Sequence, residues 1–138
     1  MLVEEIHSVV VATVDETGHP HTAVMDMMWE DGKTVYFLTA DFKPLYKRLK
    51  EDGRVAVTGM TQGAGTMDRK SISLTGRVEW IGKEHLEELL KANPYMYEIY
   101  PTEEGRSHLQ VFRFKNAVGN FYDLTQLPPY QARFEIEG

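Results

Sequence analysis

The chain contains no cysteine. That excludes a disulfide framework, thiolate chemistry and a zinc–thiolate site. It has no apolar run near the roughly 20 residues that a membrane-spanning helix needs, so no membrane partner is expected. Positive charge is in deficit: 15 Lys and Arg stand against 21 Asp and Glu, a formal net charge of −6. A protein that works by neutralising nucleic-acid phosphates needs the opposite balance, so no nucleic-acid partner is expected either. The opening residues, Met-Leu-Val-Glu-Glu-Ile-His, are acidic and carry no signal-peptide pattern. These absences together fit a cytoplasmic protein. No internal repeat, low-complexity segment or Gly-x-Ser-x-Gly hydrolase elbow occurs.

What is present suits one domain over residues 1–138. A chain of this size buries roughly two-thirds of its unfolded surface, enough for one core. The sequence is organised around Thr34 to Leu49. Val35, Tyr36, Phe37 and Leu38 follow a Glu-Asp-Gly turn and predict a strand. Leu45, Tyr46 and Leu49 recur at helical spacing, with Pro44 in the first turn, where its missing N–H costs nothing. Between them lie Thr39, Asp41 and Lys43. A helix N-terminus with a hydroxyl and an ammonium beside it suits a phosphate. The same residues also suit a helix capped by Thr39 with Lys43 in solvent, and local sequence by itself favours that second reading.

Leu2, Val3 and Ile6 predict a short leading helix with Glu4 and Glu5 outside. Val9 to Val14 predicts a buried strand, and Asp15 to Gly18 a hairpin turn. Thr22 to Trp29 predicts the next strand, with Pro20 near its entry. With the strand at Val35 these make a three-stranded antiparallel meander. The helix from Pro44 ends near Gly53, and Val55 to Val57 starts another strand. Gln62 to Arg69 is a loop; its Gly-x-Gly precedes no helix and is no dinucleotide fingerprint. Ser71 to Ile81 is the clearest strand, with Ile72, Leu74, Val78 and Trp80 on the buried face. Gly76 interrupts that face and marks a bulge or a close backbone approach. Lys83 to Ala92 is an amphipathic helix stopped by Asn93-Pro94. Tyr95 to Tyr100 forms a helical turn or a lid. Leu109 to Phe114 is a strand that resumes from Ala117 to Asp123 after a break near Asn116. The tail with Pro128-Pro129 is irregular. Hairpins dominate, so the expected class is mainly β: an antiparallel barrel with peripheral helices.

Several residues invite chemistry. His19 and His21 share a face of an extended segment, but a third metal ligand is missing nearby. Glu84, Glu87 and Glu88 read as a solvated helix face. Asp26, inside an apolar strand, points to solvent in the favoured reading and lines a pocket in the other. Met25, Met27 and Met28 read as adaptable core packing.

The order of these elements resembles the pyridoxamine 5′-phosphate oxidase superfamily, the flavin mononucleotide (FMN) split-barrel proteins. The matching residues are Val11-Ala12-Thr13-Val14-Asp15 with Gly18-His19-Pro20, Tyr36-Phe37-Leu38-Thr39 with Lys43, Arg54-Val55-Ala56-Val57, and Ser71 to Glu79. Lys43-Pro-Leu-Tyr46-Lys-Arg-Leu49 ahead of Arg54-Val55 resembles the small members. The resemblance implies a six-stranded antiparallel split β-barrel, a homodimer, and FMN at the subunit interface. It places Thr39 and Lys43 about the phosphate and ribityl chain, with Leu38 and Tyr46 also among the cofactor-binding residues. It places His21, Thr22 and Ala23 alongside the flavin ring and Ser71 where the oxidase has a glutamine. The oxidase's second-strand arginine and lysine correspond to Ala23 and Met28. Its phosphate cluster is reduced to Lys43, with Lys47 or Arg48 as possible helpers. The implied function is an FMN-dependent oxidoreductase acting with a small-molecule redox substrate or electron donor, and not a true pyridoxine phosphate oxidase. The alternatives are a non-catalytic flavin- or haem-binding module for storage or sensing, and a barrel that binds nothing.

Overall fold

The structure is a computed structural model and describes residues 1–137. The chain opens with a helical turn over Leu2–Ile6. The strands are β1 (Ser8–Val14), β2 (Pro20–Asp26), β3 (Trp29–Glu30), β4 (Val35–Ala40), β5 (Arg54–Met60), β6 (Lys70–Gly82), β7 (Leu109–Asp123) and β8 (Tyr130–Glu137). The helices are α1 (Pro44–Glu51), α2 (Leu86–Ala92), α3 (Met96–Ile99) and α4 (Glu103–Arg106). All pairings are antiparallel. The mainly β class holds, but among the described residues the sheet has eight strands where six were expected. The order is β2-β1-β5-β6-β7-β4-β3, with β8 on the other side of part of β7.

The expected meander is therefore wrong. β1 and β2 form a hairpin, but β2 and β4 stand near opposite ends of the sheet. The reason lies in β4, whose six residues are all buried. A strand of that kind needs cover on both faces and a pairing partner that brings its own core residues. β7 supplies it: Phe37 pairs with Phe112, and their rings stack at 5.8 Å, with Phe114 5.7 Å away. One face of β4 joins Val9, Val11, Val57, Leu74 and Leu49 in the main core. The sheet curls around that cluster, which draws on strands along its whole width. The other face, Tyr36, Leu38 and Ala40, is covered by Leu89 and Leu90 of α2 and Met96 of α3.

Local detail follows the sequence in several places. α1 spans the expected residues with Pro44 at its start, and Gly53, just past its end, takes a φ of +80°. Thr39 does not cap it: the N-cap is Lys43, with no side-chain cap bond. β1 is exposed on one face rather than fully buried, with Val10 turned outward. The break expected near Asn116 is instead a β-bulge: Arg77 pairs with Asn116 and Val78 with Phe114, so Lys115 is the extra residue in a continuous β7. Trp80 lies outside, 42% exposed, where its Nε1 donates to Gln110. The tail is a strand too. Ala132, Phe134 and Ile136 alternate inward, and Phe134 lies over Gly119 across the pair.

Asp31 pins the turn into β4. Its Oδ1 accepts from the Lys33 and Thr34 amides at 2.9 and 3.0 Å, and its Oδ2 from the Tyr36 hydroxyl at 2.7 Å. The Thr34 amide above all, helped by Tyr36 and Lys33 and opposed by burial, holds the carboxyl down to about 2. Its folded value lies below its unfolded one, so its contribution is complete above the unfolded pKa of about 4 and is lost as pH falls through the folded value. Urea midpoints measured from about pH 5 to about pH 2 should fall less steeply in Asp31→Asn than in the wild type. Parallel falls would remove Asp31 as a source of acid sensitivity.

Candidate functional site

A cleft of about 530 Å³ opens between β2, β4, the start of α1 and α3. Small-molecule sites fall in this size range. Ala23, Met28, Leu38 and Leu109 form apolar wall. Thr39, Lys43 and Arg48 of the β4–α1 corner line it as well, as do Asp26 of β2 and residues of the α3 region. Local rules explain the cationic part. Thr39 is buried at the end of β4, which delivers the chain into α1. Positions 44 and 48 share a helix face, so Arg48 lies over Pro44. Arg48 Nε donates to Thr13 Oγ1 at 2.7 Å, which anchors the guanidinium from β1. Among the described residues Lys43 forms no ion pair and α1 has no side-chain cap. The site thus offers an ammonium, a guanidinium, a hydroxyl and the positive end of a helix without a side-chain cap, a set that suits an anion.

The other part of the lining is acidic. Asp26 was expected to face solvent; it lines the cleft instead, its side chain 28% exposed. Ser8 Oγ donates to its Oδ1 at 2.6 Å. The Tyr95 hydroxyl lies 2.7 Å from both Asp26 Oδ2 and His7 Nε2. Burial would raise the Asp26 carboxyl, but the bonds from Ser8 and Tyr95 and the nearby His7 outweigh it and hold it low. Burial, then the bond to Asp26, pushes the Tyr95 phenol up. Both are in their ordinary neutral-pH states: carboxylate and phenol.

The expected site residues divide. Ala23, Leu38, Thr39 and Lys43 line the cleft together. His21 lines a neighbouring pocket of about 430 Å³ that shares Pro44 and Arg48 with it. Its Nε2 meets Asp15 Oδ2 at 2.7 Å, while His19 Nδ1 meets Thr17 Oγ1 at 2.9 Å, so the two histidines have separate partners. Thr22 is exposed on β2 and lines neither space. Tyr46 turns away, its ring 6.2 Å from Trp80 and 6.0 Å from Phe112. Ser71 lies in a separate groove with Arg69, whose Nε is buried without a hydrogen-bond partner. Sequence reasoning did not place Met96 and Tyr100 of the α3 region on the cleft. The aromatic run between two prolines was the available signal.

The fold defines a small split-barrel protein, and its cleft carries donors that suit an anion. The chain belongs to the family described as pyridoxamine 5′-phosphate oxidase, whose model matches residues 1–122. Among solved structures, it is similar to a NimC/NimA family protein from Clostridium acetobutylicum. Identity is 21% and the TM-score 0.79, over 97% of this chain and 87% of that one. A second is a protein from the same organism related to general stress protein 26 of B. subtilis, of the pyridoxinephosphate oxidase family. It shows 20% identity and a TM-score of 0.66, over 94% of this chain and 86% of that one. A third is an FAD and heme binding protein from Mycobacterium smegmatis, at 18% identity and TM-score 0.60, over 82% of this chain and 62% of that one. No curated protein matches the chain. No described helix is long and apolar enough to cross a membrane.

Proposed function

We propose that the protein is an FMN-dependent oxidoreductase that works as a homodimer. The observation that carries the reading is the cleft itself. It joins an apolar wall to an unpaired Lys43, Thr39, Arg48 and an uncapped helix start. That combination suits a flat ring ending in a phosphate. FMN would supply the redox chemistry; the chain holds and orients it and sets the charge around it. Thr39 and Lys43 would hold the phosphate, Arg48 would add a second cation, and Ala23 and Leu38 would face the apolar part.

Two features support the dimer. Ser71 and Arg69 lie in a groove apart from the cleft, and Arg69 Nε has no acceptor. A second copy could bring that groove to the first copy's cleft. The outer sheet face also carries Val10, Val24 and Met60, 40%, 73% and 55% exposed. Apolar surface of this kind is enriched at interface cores. With FMN added, the purified protein should show a bound flavin spectrum and scatter light as twice the 15.8 kDa chain. The mass of one chain, with flavin bound, would overturn the dimer; an unchanged free-flavin spectrum would overturn the cofactor. Bleaching by a reduced nicotinamide separates an oxidoreductase from a storage module.

Vitamin B6 phosphates are not expected to be substrates. No cation occurs between Thr22 and Asp31, and Lys43 and Arg48 are committed to the cofactor phosphate in this reading. A phosphorylated substrate would lack its own anion clamp and would face Asp26. Under anaerobic conditions, excess pyridoxine 5′-phosphate should leave the flavin band of the loaded protein intact. Rapid bleaching would sink this exclusion.

A further inference from the structure

The cleft contains a carboxylate that is held rather than loose. Asp26 ends β2, and Ser8 stands opposite it in the β1–β2 pairing, so the Ser8 bond is set by sheet register. Tyr95 reaches the other oxygen from just ahead of α3. The hydroxyl also meets His7 Nε2 at 2.7 Å, and His7 Nδ1 lies 3.0 Å from the Val3 carbonyl. His7 keeps a φ of 60°, a region costly for any residue but glycine, and its carbonyl accepts the Met27 amide at 2.7 Å. His7 Nε2 is 3.5 Å from Asp26 Oδ2. Two segments distant in sequence, at His7–Ser8 and at Tyr95, thus converge on one ionised group beside the cleft.

Hydrogen bonds to an ionised carboxylate keep it ionised without removing its charge. A negative charge beside a redox group opposes the arrival of electrons, and low-dielectric walls carry that effect across a cleft. We propose that Asp26 lowers the reduction potential of the redox cofactor seated in the cleft, with Ser8 and Tyr95 as positioning residues that hold its charge there. The inference rests on the FMN reading and deepens it. A site biased in this way suits a reductase fed by a strong hydride donor, such as a dihydronicotinamide, better than an oxidase fed by alcohols or amines.

Spectroelectrochemical titration of the FMN-loaded protein without oxygen tests this. At one poised potential, Asp26→Asn should hold a reduced-to-oxidised ratio at least about tenfold above the wild type, which is a shift of about 30 mV for a two-electron couple. Asn keeps the side-chain shape and can still bond Ser8 and Tyr95. Asp26→Glu should stay with the wild type. Tyr95→Phe removes the hydroxyl's bond to Asp26 but no charge, and should raise the ratio by less than Asp26→Asn does. A ratio in Asp26→Asn within about twofold of the wild type, or an equal rise in Tyr95→Phe, would overturn the proposal. FMN affinity is read on the same samples by fluorescence quenching. Should the wild type fail to bind FMN, the proposed function falls, and the same variants are titrated with haemin, where tenfold is about 59 mV for one electron. If haemin is not bound either, no redox cofactor occupies the cleft and the role of Asp26 falls as well.

Discussion

Gly76→Ala is expected to lower the melting temperature by roughly 10 °C, the shift for about 3 kcal/mol in a domain of this size. Gly76 sits between Leu74 and Val78 on the inner face of β6 and pairs with Ala117 of β7. A Cβ there would fall inside contact distance of the Asn116 carbonyl and of the Ala117 Cα. Those atoms are backbone, so no rotamer change can make room. They also lie beside the bulge where Lys115 is extra, so a shift would disturb the register of the pairing on both sides. Overpacking against flexible side chains costs about 1–3 kcal/mol, and backbone gives less. Thermal unfolding followed by circular dichroism measures the effect. A loss of only a degree or two would mean that β6 and β7 separate easily at this point.

Lys43→Ala should weaken FMN binding by roughly one to two powers of ten while leaving riboflavin affinity unchanged. A charged hydrogen bond to a phosphate is worth about 1.5–3 kcal/mol, and about 1.4 kcal/mol is tenfold in affinity. Lys43 is the N-cap of α1, so its charge adds to the field of the helix start. It is exposed and unpaired among the described residues, so its removal leaves no buried partner stranded. The effect is therefore read almost wholly in binding. Riboflavin lacks the phosphate and controls for any change of cleft shape. Quenching of flavin fluorescence gives both constants. Equal losses for the two ligands would show that Lys43 supports the cleft without reading a phosphate.

Much of the cleft was legible because its parts lie close in sequence. Thr39, Lys43 and Arg48 come from one strand–helix corner, and strand propensity, Pro44 and helical spacing predict that corner directly. Ala23 was placed beside them through the family resemblance. Asp26 was misread. Alternation along β2 allowed an outward side chain, and only the arrival of Tyr95 and His7 from distant segments gives that carboxylate its partners. Trp80 was misread for a related reason. Period-two alternation assigns it to the core, and the face holds as far as Val78, but Trp80 lies at the register shift between Trp80 and Gly82 and is exposed. The tail was hidden by Pro128 and Pro129, although Ala132, Phe134 and Ile136 alternate in plain view.

By itself the sequence determined the elements that rest on local chemistry. The β1–β2 hairpin follows from its turn, α1 from its proline and leucines, and Gly76 stands where a side chain cannot. It also determined the mainly β class, since hairpin signals outnumber helical ones. Only the tertiary structure decided which strands are neighbours, how many join the sheet, and where Asp26, Ser71 and Tyr46 point. Those depend on non-local pairing. β4 leaves its predecessor β2 for β7 because burying both of its faces against Phe112, Leu89 and Leu90 is worth more than keeping a short connection. No periodicity within β4 encodes the identity of that partner.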